Sequence, residues 1–196
     1  MSELVKGEIE RLQDMDVGAR AYELFLAGDK EQMAIIVEHY GNPLLMFINS
    51  YVHNYHTAED LMEDCFVDLL IKRPDFRGES QFKTYLFQMG RNKALNFIQR
   101  SKHFTWVNSD DVEHELREED DVFERIEADE RKKELFQALK QLPDHYRQAV
   151  HLIYFEEFNY EEAAQIMDVT SKQVDNYVYR AKKKLAELLD RGEAMP

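Results

Sequence analysis

Cysteine, glycine and proline are scarce in this 196-residue chain, which holds one Cys, seven Gly and four Pro. A single thiol excludes an intramolecular disulfide and a cysteine-rich zinc site. Cys65 stands in an apolar stretch with Phe66 and Leu69, where a plain core thiol is expected. So few turn formers leave little room for a strand-and-turn architecture. Apolar runs are short as well: none approaches the ~18 residues that a membrane-spanning helix requires. The opening MSELVKGEIERLQDMDV has no apolar stretch of the secretory-signal kind. The expectation is a cytoplasmic protein with no membrane insertion. Positive charge is outnumbered too, with 25 Lys and Arg against 39 Asp and Glu and a formal charge of −14. A uniformly acidic surface is repelled by phosphate, so a nucleic-acid partner requires that positive charge be segregated along the chain.

What is present is dominated by helix formers, Leu, Ala, Glu, Lys, Gln and Met, and the fold class expected is all-α. Apolar residues recur at three- and four-residue spacing through Met33, Ile36, Val37 and Tyr40, after Asp29 as a cap. Gly41-Asn42-Pro43 is read as an interruption, after which Leu44, Phe47, Ile48, Tyr51 and Val52 resume the stripe. Thr57 is the expected cap of the next helix, with Leu61, Cys65, Phe66, Leu69 and Leu70 on its apolar side. Residues 72–78 read as a loop. A long helix starting near Ser80 then runs through Phe82, Tyr85, Leu86, Met89, Leu95 and Ile98.

A break follows. Between Val107 and Glu130 stand twelve carboxylates against Arg117 and Arg125, a block that reads as a solvated linker. It holds most of the negative excess, so the rest of the chain is near neutral. A second helical unit begins near Ala128, with a stripe at Leu135, Leu139 and Leu142 broken by Pro143-Asp144. The expected organisation is an extension over 1–21, one helical domain over 22–104, the acidic linker over 105–128 and a second helical domain over 129–196.

The second domain ends in a helix-turn-helix pattern. Ala163 and Ala164 are small enough for a close helix crossing, Ile166, Val169 and Val174 are the apolar anchors, and Thr170 or Ser171 caps the second helix. Ser171, Lys172, Gln173, Asp175, Asn176 and Tyr179 then stand where a recognition helix meets base edges. Arg180, Lys182 and Lys183 suit phosphate contact. Asp175 repels phosphate and is suited to accept from a cytosine amine. The bland alternative is an αα-hairpin with a solvated basic face. In the first domain, Phe82 to Phe104 carries Lys83, Arg91, Lys93, Arg100 and Lys102 and no carboxylate. Aromatics stand among these cations, a pairing that suits an unstacked strand; Leu86, Met89 and Phe97 read instead as core.

Three segments in this order resemble the sigma-70 family. Ala58-Glu-Asp-Leu-Met-Glu-Asp-Cys-Phe-Val-Asp-Leu resembles the polymerase-binding helix of sigma region 2, and the run from Phe82 to Arg100 resembles the promoter-melting and −10-reading helix. Leu139 to Val150, the helix-turn-helix and Arg180-Ala-Lys-Lys-Lys-Leu resemble region 4. The compact two-part form is similar to the extracytoplasmic-function group. The resemblance implies two domains, region 2 and region 4, joined by the acidic linker, and an alternative sigma factor that directs RNA polymerase core to promoters. It implies that Glu59, Asp60, Glu63 and Asp64 meet the β′ clamp helices, that region 4 meets the β flap, and that an anti-sigma factor holds the protein inactive. Arg77, Lys83, Arg91, Asn92, Asn96 and Arg100 would lie against the unpaired −10 strand, and the helix from Ser171 would enter the −35 major groove. Departures are Tyr85 where Trp is common, Glu63 where Gln is common, Asn96 where Asp is common, and Asp175 and Tyr177 where Lys and Arg are frequent.

Two other classes make different demands on the sequence. A conventional helix-turn-helix regulator predicts symmetric half-sites and duplex binding by the chain alone. A helical-bundle enzyme wants Glu-x-x-His pairs, and none occurs. His39, His53, His56, His103, His114, His145 and His151 are scattered without a nucleophile or a phosphate-cradling Gly motif beside them. No enzyme activity, metal or cofactor is expected.

Overall fold

The computed structural model of the chain describes residues 16–76, 78, 80–107 and 130–192, with side chains as far as residue 102 and again from 134 to 190. Among the described residues there are eight α-helices, one π-helical turn and no strand, in accord with the all-α expectation. Arg77, most of the 1–21 extension and residues 108–128 of the acidic linker lie outside the described residues.

Helix α1 (Val17–Leu26) is capped by Asp16, whose Oδ1 accepts from Ala19 N at 2.9 Å. The other oxygen, Oδ2, accepts from Phe82 N at 3.1 Å, so one carboxylate caps both α1 and the long helix α4 (Phe82–Val107). The long helix expected to start near Ser80 thus begins at Phe82, with a cap supplied from the other end of the unit. Ala21, Tyr22 and Phe25 are buried, so α1 packs within the first unit.

Helix α2 (Gln32–Val52) runs unbroken through Pro43, against the expected interruption at Gly41-Asn42-Pro43. An interior proline costs roughly 3 kcal/mol, but Tyr40, Leu44, Phe47 and Ile48 bury on both sides of it and outweigh that cost. Asp29 sits one turn before the helix, accepting from Glu31 N at 3.2 Å and from Gln32 Nε2 at 2.8 Å. Helix α3 (Tyr55–Lys72) is capped by Asn54, which accepts from Thr57 N at 2.8 Å, so Thr57 is the donor rather than the predicted cap. Val37, Leu70 and Leu95, expected on apolar faces, are exposed, because each lies at the edge of its helix's buried stripe.

The second unit comprises α5 (Glu130–Lys140), α6 (Asp144–Val150), a π-helical turn (His151–Phe155), α7 (Tyr160–Met167) and α8 (Ser171–Gly192). α5, α6 and α7 pack around α8. In the first unit α2 is central, covered by α1, α3 and α4.

The two units dock on each other through α4 against α7 and α2 against α6. Phe47 and Phe87 of the first unit and Leu152 and Phe158 of the second belong to one continuous buried cluster. The Phe87 and Phe158 rings meet edge to face with centroids 5.1 Å apart, a favoured aromatic geometry.

Candidate nucleic-acid interface

The helix-turn-helix is built by two caps. Asn159 Oδ1 accepts from Glu161 N and Glu162 N at 2.9 Å each, and Glu162 Oε2 accepts in return from Asn159 N at 3.0 Å, a reciprocal capping box that starts α7. α7 stops at Asp168, which takes the left-handed conformation (φ 57°) that short polar side chains tolerate best after glycine. Thr170 then starts α8: its Oγ1 accepts from Gln173 N at 3.3 Å, and Gln173 Oε1 accepts from Thr170 N and Thr170 Oγ1, both at 2.9 Å. Ala163 and Ala164 are buried at the crossing, with Ile166 and Val174 behind the turn. Val174, Val178 and Ala181 form the inner stripe of α8.

On the outer side, Lys172, Gln173, Asp175, Asn176, Tyr179, Arg180, Lys182 and Lys183 are all exposed, and Ser171 is half-buried. Thr170, Lys172, Gln173, Asp175, Asn176 and Tyr179 line one shallow depression. The predicted −35 set therefore shares one surface, but four of its members, Gln173, Asn176, Arg180 and Lys182, are also engaged with neighbours. The Gln173 carbonyl is held by the cap, so its NH2 is what it presents outward. Asn176 Oδ1 accepts from Arg180 Nε at 3.0 Å, which fixes the guanidinium plane. Asp175 is the one carboxylate between Ser171 and Ala186. Lys182 Nζ lies 4.9 Å from the Tyr154 ring centre, so the π turn supports the cationic stretch.

The predicted −10 set is divided by helix geometry. At about 100° per residue, Asn92, Asn96 and Arg100 fall on one face of α4 while Lys83 lies about 180° away from Asn92. Asn92, Asn96 and Arg100 are exposed. Lys83 instead points at the second unit, donating to the Glu156 carbonyl at 2.6 Å and pairing with Glu156 Oε2 at 3.0 Å. Arg91 lies 3.9 Å from Asp168 and donates to Asn92 Oδ1 at 3.4 Å. Lys93 clamps α4 to α3 through Asp68 at 2.9 Å. Hydrogen bonds from Lys72 and Lys93 hold the Asp68 carboxyl below its usual range. The expected base-stacking role of the aromatics does not hold for Phe82 and Phe87, which are fully buried; their helical spacing reflects core packing.

On α3, Glu59 is half-buried and Asp60, Glu63 and Asp64 are exposed. Sequence reasoning missed how this surface continues. Val67 and Ile71, one and two turns after Glu63, are 43% and 76% exposed, with Leu70 beside them at 43%. The four-residue spacing from Glu63 was the available signal. The result is one face that is acidic at its start and apolar at its end, the composition of a protein-binding surface.

No helix among the described residues is long and apolar enough to cross a membrane. Comparison with known proteins matches residues 36–104 to the family described as Sigma-70 region 2 and residues 132–185 to Sigma-70, region 4. The chain is 31% identical over 157 residues to the ECF RNA polymerase sigma factor SigM of Bacillus subtilis, covering 80% of this chain and 94% of the relative. It is 28% identical to the RNA polymerase sigma-H factor of Pseudomonas aeruginosa, covering 83% and 88%. Among solved structures, the sigma factor RpoE of Bartonella quintana, crystallised with the anti-sigma factor NepR, has the same fold with a TM-score of 0.60 and 24% identity, covering 82% of this chain and 98% of that one. CnrH, solved with the cytosolic domain of CnrY, aligns with a TM-score of 0.59 and 21% identity over 89% and 96% of the two chains. By its level of identity and near-complete coverage of a curated relative, with both sigma regions in order, the chain belongs to the ECF RNA polymerase sigma factors.

Proposed function

We propose that this chain is a promoter-specificity subunit of bacterial RNA polymerase, acting in the cytoplasm as a binding subunit without chemistry of its own. The observation that carries the reading is the presence, in one chain, of an acidic-to-apolar face on α3 and a cationic recognition helix α8. The first suits a protein partner and the second suits duplex DNA. In this reading residues 22–104 with α1 form region 2, 105–128 the linker and 129–196 region 4. Glu59, Asp60, Glu63 and Asp64, extended by Val67 and Ile71, meet the β′ clamp helices, and region 4 meets the β flap. Asn92, Asn96 and Arg100, with Arg77, Lys83 and Arg91, contact the opened −10 strand, whose bases are readable only when unpaired. Ser171, Lys172, Gln173, Asp175, Asn176 and Tyr179 read the −35 groove, while Arg180, Lys182 and Lys183 hold its phosphates. The complex of RpoE with the anti-sigma factor NepR supports an anti-sigma factor as the inhibitory partner of this chain too.

Co-purification with core polymerase tests the reading. The chain is expected to form a stable complex. Glu63→Lys with Ile71→Asp is expected to weaken it by about tenfold or more, since centrally placed interface residues carry most of the affinity. Failure of the unaltered chain to bind core, together with duplex binding on its own, contradicts the reading.

A further inference from the structure

Helix α1 lies upstream of the segment matched to Sigma-70 region 2, which starts at residue 36. It nevertheless touches both ends of the connection between α3 and α4. At the near end, the Tyr22 hydroxyl donates to the Pro74 carbonyl at 2.9 Å. Burial pushes that hydroxyl up to about 12, so it keeps its proton and remains a donor at neutral pH. Arg73, the residue that ends α3, takes a left-handed φ of 45°, a conformation that persists only where the surroundings fix it. Its guanidinium carbon lies 5.1 Å from the centre of the Phe25 ring of α1, within cation–π reach. At the far end, Asp16 Oδ2 accepts from the N–H of Phe82, the first residue of α4, at 3.1 Å.

What these ties hold borders the face proposed for the −10 strand. Phe76, in the connection, is half-buried, and its ring meets those of Phe82 and Tyr85 with centroids 5.5 and 5.6 Å apart. Tyr85 precedes Asn92 by seven residues, so at about 100° per residue it shares one face of α4 with Asn92 and Asn96. From the other side the Tyr22 ring packs on Phe82, with centroids 5.3 Å apart. Tyr22, Phe82, Phe76 and Tyr85 thus form one aromatic path from α1 to that face. Selection among bases requires side chains held to within about 0.5 Å, and a connection between helices takes such rigidity from what it is tied to.

We infer that α1 is a specificity-determining element: Tyr22 and Asp16 are positioning residues that fix both ends of the α3–α4 connection and so set which base the Phe76–Tyr85 surface accepts in the −10 element. The inference rests on the sigma reading and adds to it a role for a helix outside the matched region. Tyr22 is only 1% exposed, and Asp16 spends both carboxylate oxygens on caps. Both therefore act through the backbone, at Pro74 and at Phe82, rather than by touching DNA.

Base preference tests this in the full chain assembled with core polymerase. Tyr22→Phe keeps the ring and removes only the tie to Pro74. Asp16→Asn leaves one side-chain acceptor for two N–H groups, and Asn caps a helix about as well as Asp. Tyr22→Phe, alone and with Asp16→Asn, is assayed by transcription from two promoter libraries, one randomised position by position in the −10 element and one in the −35 element. Tyr22→Phe is expected to relax the preference at one −10 position by about threefold to tenfold, the worth of one hydrogen bond, and the double variant to relax it further. The −35 preferences and the affinity for core are expected to stay unchanged. A first unit that is merely less stable lowers transcription from every template alike and leaves the ratios between bases as they were. Ratios at the −10 positions that Tyr22→Phe leaves unchanged, that the second substitution does not widen, or that relax no more than those at −35 overturn the proposal. Failure of the unaltered chain to bind core and to start transcription from any template strikes the sigma reading itself, and the proposal with it.

Discussion

At the residue scale, the role proposed for Asp175 makes a definite demand on the DNA sequence. Its carboxylate only accepts, and it stands exposed on the recognition face with Lys172 and Tyr179. In the major groove guanine and the thymine carbonyl present acceptors that repel it. Adenine sets an acceptor beside its amine, whereas cytosine presents the amine alone. Holoenzyme transcription from a −35 library randomised one position at a time is expected to show a cytosine preference at one position. Asp175→Asn is expected to shift that position toward adenine, with a discrimination of about 1–3 kcal/mol. A base preference unchanged by the substitution would contradict this role. Gly18 shows the same scale in the core. A Cβ there would collide with the Phe82 ring and lie 2.7 Å from Tyr40 Oη. Gly18→Ala is therefore expected to destabilise the first unit by about 1–3 kcal/mol through overpacking, read as a lower urea midpoint. The sequence contains no sign of this, since Gly18 and Phe82 are brought together by the Asp16 double cap and by the packing of Phe82 on Tyr22 and Tyr40.

At the scale of elements, the caps and apolar stripes were legible wherever a helix is decided locally. Thr170 capping α8, the small Ala163–Ala164 crossing and the Pro143 break all follow from neighbours within one or two turns. The Thr170 and Gln173 side chains satisfy donors at the start of the recognition helix. Thr170→Ala is expected to cost about 1 kcal/mol, visible in thermal melts and as weaker −35 contact. What was not legible depends on distant partners. Pro43 looked like a break because its burial on both sides is supplied by α3 and α4. Phe82 and Phe87 looked available for bases because helical spacing does not say which face another unit covers. The ion pair of Lys83 was not legible because charge counting does not show that Glu156, 73 residues later, reaches it through a π turn. On α3 the carboxylates were legible from sequence, while the exposure of Val67 and Ile71 depends on which face the neighbouring helices cover.

For the whole molecule, the docked arrangement ties pH to shape. Burial alone would raise the Glu156 carboxyl, but hydrogen bonds from His151 and Lys83 and their charges bring it below its ordinary value. A depressed carboxylate adds stability that is fully present above the unfolded-chain value of about 4.3 and is lost as pH falls through the lower folded value. Lys83 of α4 and His151 of the π turn are the charged or titratable groups facing it. The radius of gyration from small-angle scattering is expected to stay constant from neutral pH down to about 5 and to grow only on acidification below the carboxylate range. Expansion already near pH 6 would contradict the assignment of Glu156 as the carboxylate of the contact. The acidic linker is expected from charge alone and its residues 108–128 lie outside the described residues, while the two helical units were legible from the break in composition. The contact between the units was not recognised, because it is a property of their docked surfaces. The measurement that tests the central claim most directly is run-off transcription with purified core polymerase on a genomic fragment library, with and without this chain. Discrete start sites that appear only in its presence, each preceded by −10 and −35 elements, are the predicted result. No added start sites, and no stable association with core, would contradict it.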